Sequence, residues 1–223
     1  MADTNTTRAE SAPSFLRAGD RVLFEGDSLS EGLTNHYARL MRWDVTWAHL
    51  VDEWLFAQRP ELNLETKNLA VGGSSVRSLL GRVDPAEAFR PGVVFFTVGT
   101  NDALARMPLD EFREKLGEWC GRLGGAGCGR FALVGGFVPF PNAEADTPGV
   151  VERCAPYWSA AREVLAPRGG VYIDVGPYVL ARAKALEARW PRHTVYSAGV
   201  HYNALGNQLI AGAVLTQLGY WRE

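Results

Sequence analysis

Four short stretches of this chain carry residue types that chemistry uses, and three of them directly follow runs that read as β-strands. Gly26-Asp27-Ser28-Leu29-Ser30 follows the first run, where Gly26 permits a tight turn and Ser28 stands as an exposed hydroxyl nucleophile would. Asn68-Leu69-Ala70-Val71-Gly72-Gly73-Ser74-Ser75 follows the second. It is a glycine turn entering a short helix, where backbone N–H groups can face an oxyanion. Val98-Gly99-Thr100-Asn101-Asp102 follows the third and ends it on a side-chain amide, a suitable donor to a tetrahedral oxyanion. Ser197-Ala198-Gly199-Val200-His201-Tyr202-Asn203 precedes the last helical pattern and sets His201 in a loop from which an imidazole can reach a nucleophile.

Each stretch also has an ordinary reading. Asp27 and Ser28 suit turn and cap hydrogen bonds, glycine pairs are commonly plain connections, and Asn101 can close a strand as an Asx turn. The other histidines, His36, His49 and His193, have no matching context and read as surface or helix residues. What favours chemistry is the conjunction: Ser, Gly, Asn and His, in that order, each at the edge where a doubly wound sheet binds its ligands.

The elements that must position these residues alternate short apolar runs with longer helical patterns, the signature of βαβ units around a parallel sheet. Strands are expected at 21–25, 64–68, 93–98, 131–135 and 171–174, rich in β-branched and aromatic residues as buried strands are. Helices are expected near 36–58, 109–123, 150–166, 178–188 and 205–218. The expectation is a three-layer α/β/α sandwich with five parallel strands in the order 2-1-3-4-5. Right-handed crossovers with a reversal beside strand one then bring Ser28, Gly73 and Asn101 to one switch point. One domain over 16–223 is expected, preceded by a segment, 1–15, whose composition suits disorder.

Composition narrows the function classes. With 223 residues, 47% hydrophobic and 22% charged, the chain is of ordinary globular type. A formal net charge of −2 gives no basic footprint for nucleic acid or an anionic membrane. Cys120, Cys128 and Cys154 form no CxxC pair and read as buried thiols, so neither a disulfide framework nor a metal site is expected. No apolar run approaches the ~18 residues of a membrane span, and the first twenty residues lack a signal peptide's apolar region. A cytoplasmic chain is the expectation, or an exported one if a leader has been removed. Oligomeric state is open.

The conjunction resembles the SGNH (GDSL-like) hydrolases, and the resemblance runs from about Arg21 to Leu218. Their first block is matched by Phe24-Glu25-Gly26-Asp27-Ser28, the second by Gly73 five residues after Asn68, and the third by Asn101 in Gly99-Thr100-Asn101-Asp102. The resemblance implies a flavodoxin-like sandwich and a cofactor-free serine esterase. Its substrates would be small esters, short-chain or acetyl esters and acetylated carbohydrates among them. Ser28 would be the nucleophile, His201 the base, and Ser28 N–H, Gly73 N–H and the Asn101 amide the oxyanion hole.

The last block departs from the family. Its Asp-x-x-His-Pro frame reads Ala198-Gly199-Val200-His201-Tyr202 here. Tyr202 in place of Pro is expected to alter a loop wall and the substrate rim. Ala198 in place of Asp removes the group that holds the imidazole's tautomer and stabilises imidazolium. A deliberate Asp→Ala change, a natural Ser-His dyad and a pseudoenzyme that binds without turnover all remain open. The rival class is a carbohydrate-binding module, motivated by the missing acid and by seven Trp and seven Tyr that offer stacking faces. A helix wall of Trp43, Trp47 and Trp54 and the loop 137–142 are candidate borders of a pocket, although Trp47 and Trp54 at seven-residue spacing suit the core better. A nucleotide binder is disfavoured because no GxGxxG follows the first strand.

Overall fold

The computed structural model describes residues 15–31, 46–137, 149–192, 194–197 and 200–221. Its centre is a five-stranded, all-parallel sheet formed by β1 (Arg21–Glu25), β2 (Glu65–Asn68), β3 (Val93–Phe96), β4 (Arg130–Gly135) and β5 (Val171–Asp174), in the order 2-1-3-4-5. This is the expected order. The inner strands β1, β3 and β4 are buried almost throughout and therefore read as unbroken apolar runs, whereas β2 at the edge alternates exposed and half-buried residues.

Two helical layers follow from the pleat. Phe24 and Phe95 are register partners on one face of the sheet and stack on each other, and Trp47 meets Phe24 edge-on there. Trp47 opens α2 (Trp47–Gln58), so α2 covers that face, where it packs on α9 (Ala204–Gln217) beside α8 (Gly176–Arg189). The next residue, Phe96, points the other way, onto Trp119 of α6 (Leu109–Gly125). That opposite layer also holds α3 (Val76–Gly81), α4 (Val83–Phe89), α5 (Thr100–Leu104) and α7 (Val150–Leu165). A one-turn helix, α1 (Ser28–Glu31), is separated from β1 by the two residues Gly26 and Asp27.

Several boundaries differ from expectation. The first long helix is described only from Trp47, and residues 36–45, with His36 and Trp43, lie outside the described residues. The helix expected at 178–188 starts two residues earlier, at Gly176, because Pro177 in a first turn lacks only an N–H that has no helical acceptor anyway. The same allowance lets Pro85 sit in α4, where Asp84-Pro85 reads as a break in sequence. Residues 1–14 lie outside the described residues, so the expected N-terminal disorder is not addressed.

All three cysteines are free and buried, and burial pushes their thiols up, Cys154 to about 11. Among the described residues no cluster of His, Cys, Asp or Glu is arranged to hold a metal ion, and no helix is long and apolar enough to cross a membrane.

Candidate active site

Ser28 is the first residue of α1, and the turn that puts it there depends on Gly26. At φ +127° Gly26 has a backbone that L side chains rarely adopt, and an added Cβ would stand 2.3 Å from Thr97 Oγ1 and 2.5 Å from the Thr97 carbonyl oxygen. Asp27 locks the turn from beneath. Its Oδ1 accepts from Leu29 N–H at 3.0 Å and from the Thr97 hydroxyl at 2.9 Å. Thr97 Oγ1 accepts the Asp27 N–H at 3.2 Å and lies 2.9 Å from Ser30 Oγ. Burial pushes the Asp27 carboxyl up to about 6 against the lowering effect of those two donors, with nearby Asp102 adding to the rise. As the first residue of a helix, Ser28 has an N–H with no acceptor within it.

The second loop lies beside this turn. A Cβ built on Gly72 would come within 3.6 Å of Ser28 Cβ, and Gly72 N–H donates to Glu31 Oε2 at 2.5 Å. Gly73 follows with φ +76°, exposed. Ser74 N–H and hydroxyl both bond the Val71 carbonyl, and Ser75 caps α3, accepting from Ser78 N–H. Asn68 ties β2's end to the nucleophile helix by donating its amide to the Ser30 carbonyl at 2.9 Å.

Asn101 is half-buried near the start of α5, and its Nδ2 donates to the Ser74 carbonyl at 3.0 Å. Because a carbonyl only accepts, this contact fixes which end of the amide carries the donors and leaves the second N–H for another acceptor. Asp102 staples the two loops: its carboxylate accepts from Val76 N–H at 2.9 Å and Gly99 N–H at 3.1 Å. Burial holds its carboxyl above the usual range.

His201, 6% exposed, brings Nε2 to 2.8 Å from Ser28 Oγ. The loop that carries it is closed by an antiparallel bridge between Tyr196 and Tyr202. Ser197 N–H donates to the His201 carbonyl at 3.1 Å and Asn203 N–H to the Val195 carbonyl at 3.0 Å. Asn203 then caps α9, and Asn207 reaches back to the Tyr202 carbonyl while its own oxygen accepts from Trp47 N–H. Tyr202, expected on the substrate rim, is instead 1% exposed and packs against Phe137 and Tyr196, so its role is to anchor the loop in the core.

Three of the four expected stations, Ser28, Asn101 and His201, thus meet through direct contacts or through the Gly72–Ser74 loop, and Gly73 lies within that loop. Ala198 and Gly199 lie outside the described residues, as do His193 and residues 138–142. His49 is half-buried on α2, with Nε2 3.8 Å from Glu53 Oε1. Trp47 is fully buried, and Trp54 is half-buried and stacks on Trp221, so neither is a free wall of this site. Sequence reasoning missed Thr97, Asp102, Glu25 and Arg82. Glu25 alone gave a signal, as an acid ending an apolar strand, since such a group needs a partner.

Comparison with known proteins bears on the family and the fold. The model of the GDSL-like lipase/acylhydrolase family matches residues 24–209. No curated protein sequence matches. An alpha/beta hydrolase enzyme from the metagenome of Lake Arreo, Spain, is similar in fold, with TM-score 0.72 and 21% identity over 94% of this chain and 100% of its own. An acetylxylan esterase from Geobacillus stearothermophilus superposes with TM-score 0.71 and 20% identity over 92% of this chain and 97% of its own. Catalytic mutants of that esterase replace a serine, an aspartate, and a histidine three residues after the aspartate.

Proposed function

The chain belongs to the GDSL-like lipase/acylhydrolase family, and from that premise we propose that it is a carboxylic ester hydrolase working through an acyl-enzyme on Ser28. The observation that carries the reading is the 2.8 Å approach of His201 Nε2 to Ser28 Oγ beside a glycine loop and an oriented amide. His201 takes the hydroxyl proton as Ser28 attacks the acyl carbon. Ser28 N–H, Gly73 N–H and Asn101 Nδ2 donate to the oxyanion. Collapse releases the alcohol, which takes the proton back from the imidazolium. Water, deprotonated by His201, then cleaves the acyl-enzyme, releasing the acid and restoring Ser28.

Short acyl groups, acetyl above all, are the proposed substrates, and acetylated carbohydrate is the proposed natural class. A cavity of about 10 Å³, room for one water-sized group, lies against Phe137, Val150, Cys154 and Trp158 and is not lined by Ser28, Asn101 or His201 themselves; its remaining wall includes Leu29, Thr100 and Val200. These last three are the immediate chain neighbours of Ser28, Asn101 and His201. The acetylxylan esterase among the structural neighbours adds support, and its catalytic Asp-x-x-His spacing is the frame in which Ala198 stands here.

The test is labelling by a fluorophosphonate together with hydrolysis of 4-nitrophenyl acetate. Labelling at Ser28 and turnover that disappears in Ser28→Ala are expected. Binding of acetylated oligosaccharide without labelling or turnover would overturn the esterase reading in favour of a pseudoenzyme.

A further inference from the structure

Arg82 belongs to none of the four stations, yet its guanidinium touches the pieces that build two of them. It sits at the junction of α3 and α4. Nη2 donates to Glu25 Oε1 at 2.7 Å and to the Gly26 carbonyl at 3.0 Å, and Nη1 donates to Ser74 Oγ at 2.8 Å. Glu25 ends β1 with its side chain 2% exposed, and its Oε1 also accepts the Gly26 N–H at 3.2 Å. One planar cation therefore grips the strand end that feeds the nucleophile turn and the loop that carries Gly73.

The grip extends to the amide. Ser74 is held at its hydroxyl by Arg82 and by the Val71 carbonyl, and its own carbonyl accepts from Asn101 Nδ2. With one N–H committed to Ser74, the direction of the other is set by where that carbonyl stands. A displacement of Ser74 turns the amide about its side-chain torsion and moves the remaining donor off the oxyanion. Hydrogen bonds that stabilise a transition state lose their value over such displacements because donors must meet the oxyanion at about 2.7–3.1 Å.

We propose that Arg82 is a positioning residue for the oxyanion hole, acting through Ser74 on the Asn101 amide. The proposal rests on the reading of Ser28 and Asn101 as ester-hydrolysing groups. It separates two jobs that one ion pair performs: neutralising buried Glu25, which concerns stability, and holding Ser74, which concerns rate. Lysine can do the first. It lacks the fork that serves Glu25, the Gly26 carbonyl and Ser74 Oγ together, so it cannot do the second.

The experiment measures kcat and KM for 4-nitrophenyl acetate per fluorophosphonate-titrated site, together with melting temperature, for Arg82→Met, Arg82→Lys and Ser74→Ala, each alone and with Asn101→Ala. Ser74→Ala keeps the Glu25–Arg82 pair intact and so remains informative if Arg82→Met does not fold. Arg82→Met and Ser74→Ala should lower kcat by about 10–100-fold with KM within about twofold, and by less than about threefold once Asn101 is already Ala. Arg82→Lys should melt near the parent while keeping the low kcat. Equal losses in both Asn101 backgrounds, or a lysine that restores the rate, would overturn the positioning role and leave the esterase reading standing. A parent that neither labels at Ser28 nor hydrolyses the ester would overturn that reading and this proposal with it.

Discussion

Replacing Thr97 by Val keeps the shape of a buried side chain, 1% exposed, while removing one oxygen from beneath the nucleophile turn. That oxygen's capacity is fully used: it donates once, to Asp27 Oδ1, and has two further neighbours, the Asp27 N–H and Ser30 Oγ. The bond to an ionised carboxylate contributes about 1.5–3 kcal/mol and the two neutral ones about 1 kcal/mol each, with buried partners left unsatisfied in the variant. A loss of roughly 3–5 kcal/mol is therefore expected at pH 8. The sign of the pH dependence follows from Asp27. Its carboxyl is raised by burial from 3.8 to about 6, so its contribution to stability is fully present below the unfolded value and is lost as pH rises through the folded one. Thr97 is one of the groups holding that value down, so Thr97→Val raises it further and enlarges the loss above it. At pH 5 Asp27 is mostly protonated in both proteins, and the penalty should shrink by about 1–2 kcal/mol. Urea unfolding followed by tryptophan fluorescence at pH 5 and pH 8 measures the difference. Equal penalties at the two pH values, or a penalty below about 1 kcal/mol at pH 8, would refute the reasoning.

Gly26→Ala should destabilise by on the order of 3 kcal/mol or more and abolish labelling of Ser28, because the new Cβ overlaps backbone atoms of a central strand's end that have nowhere to move. Melting temperature and probe labelling check it. Asn101→Ala should lower kcat by ~10²–10³ with little change in KM, the pattern of losing one oxyanion donor; unchanged turnover would reduce Asn101 to a residue that closes the end of its strand. Ala198→Asp should raise aryl-acetate turnover by ~10²–10⁴; a gain below about tenfold would sink the lost-triad account and leave a natural dyad, whose histidine is held by other means, or a pseudoenzyme.

The inner strands could be read from sequence because both their faces are buried, which leaves unbroken runs such as VVFF in β3 that only a strand between two helix layers explains. The order of the strands followed from crossover handedness, and with it the meeting of Ser28 and Asn101 at one edge. Of the short helices, α3 was legible only as the short helix that the glycine turn enters, and α4 and α5 were not legible. Each has at most seven residues, too few for a helical period to emerge, and α3 is held in part from a distance, by Asp102 accepting its first N–H. Arg82 was illegible for a related reason. An arginine among Gly81, Val83 and Asp84 has no local pattern to mark it, and its partner Glu25 lies 57 residues away. Tyr202 misled because a residue beside a catalytic histidine suggests a rim, whereas the bridge to Tyr196 turns its ring inward.

The contacts that place Ser28, Gly73 and Asn101 run through Thr97, Asp102 and Arg82, and those that place His201 run through the Tyr196–Tyr202 bridge and Asn207. On the reading that Ala198 stands where the family has its acid, what an aspartate there would supply to the imidazole can be divided. An aspartate there would do two things: fix the tautomer that presents a bare Nε2 to Ser28, and stabilise the imidazolium once the proton has moved. The first benefit is the same for every ester. The second grows as the leaving group worsens, because a poor leaving group requires the charged ring to persist until it protonates the departing oxygen. A 4-nitrophenolate leaves without that proton; a sugar alkoxide does not. If charge stabilisation is the larger part of what Asp supplies, the gain from Ala198→Asp should be at least about tenfold greater on an acetylated sugar than on 4-nitrophenyl acetate, measured as the ratio of kcat/KM values. Equal gains on the two substrates would assign the whole effect to the tautomer.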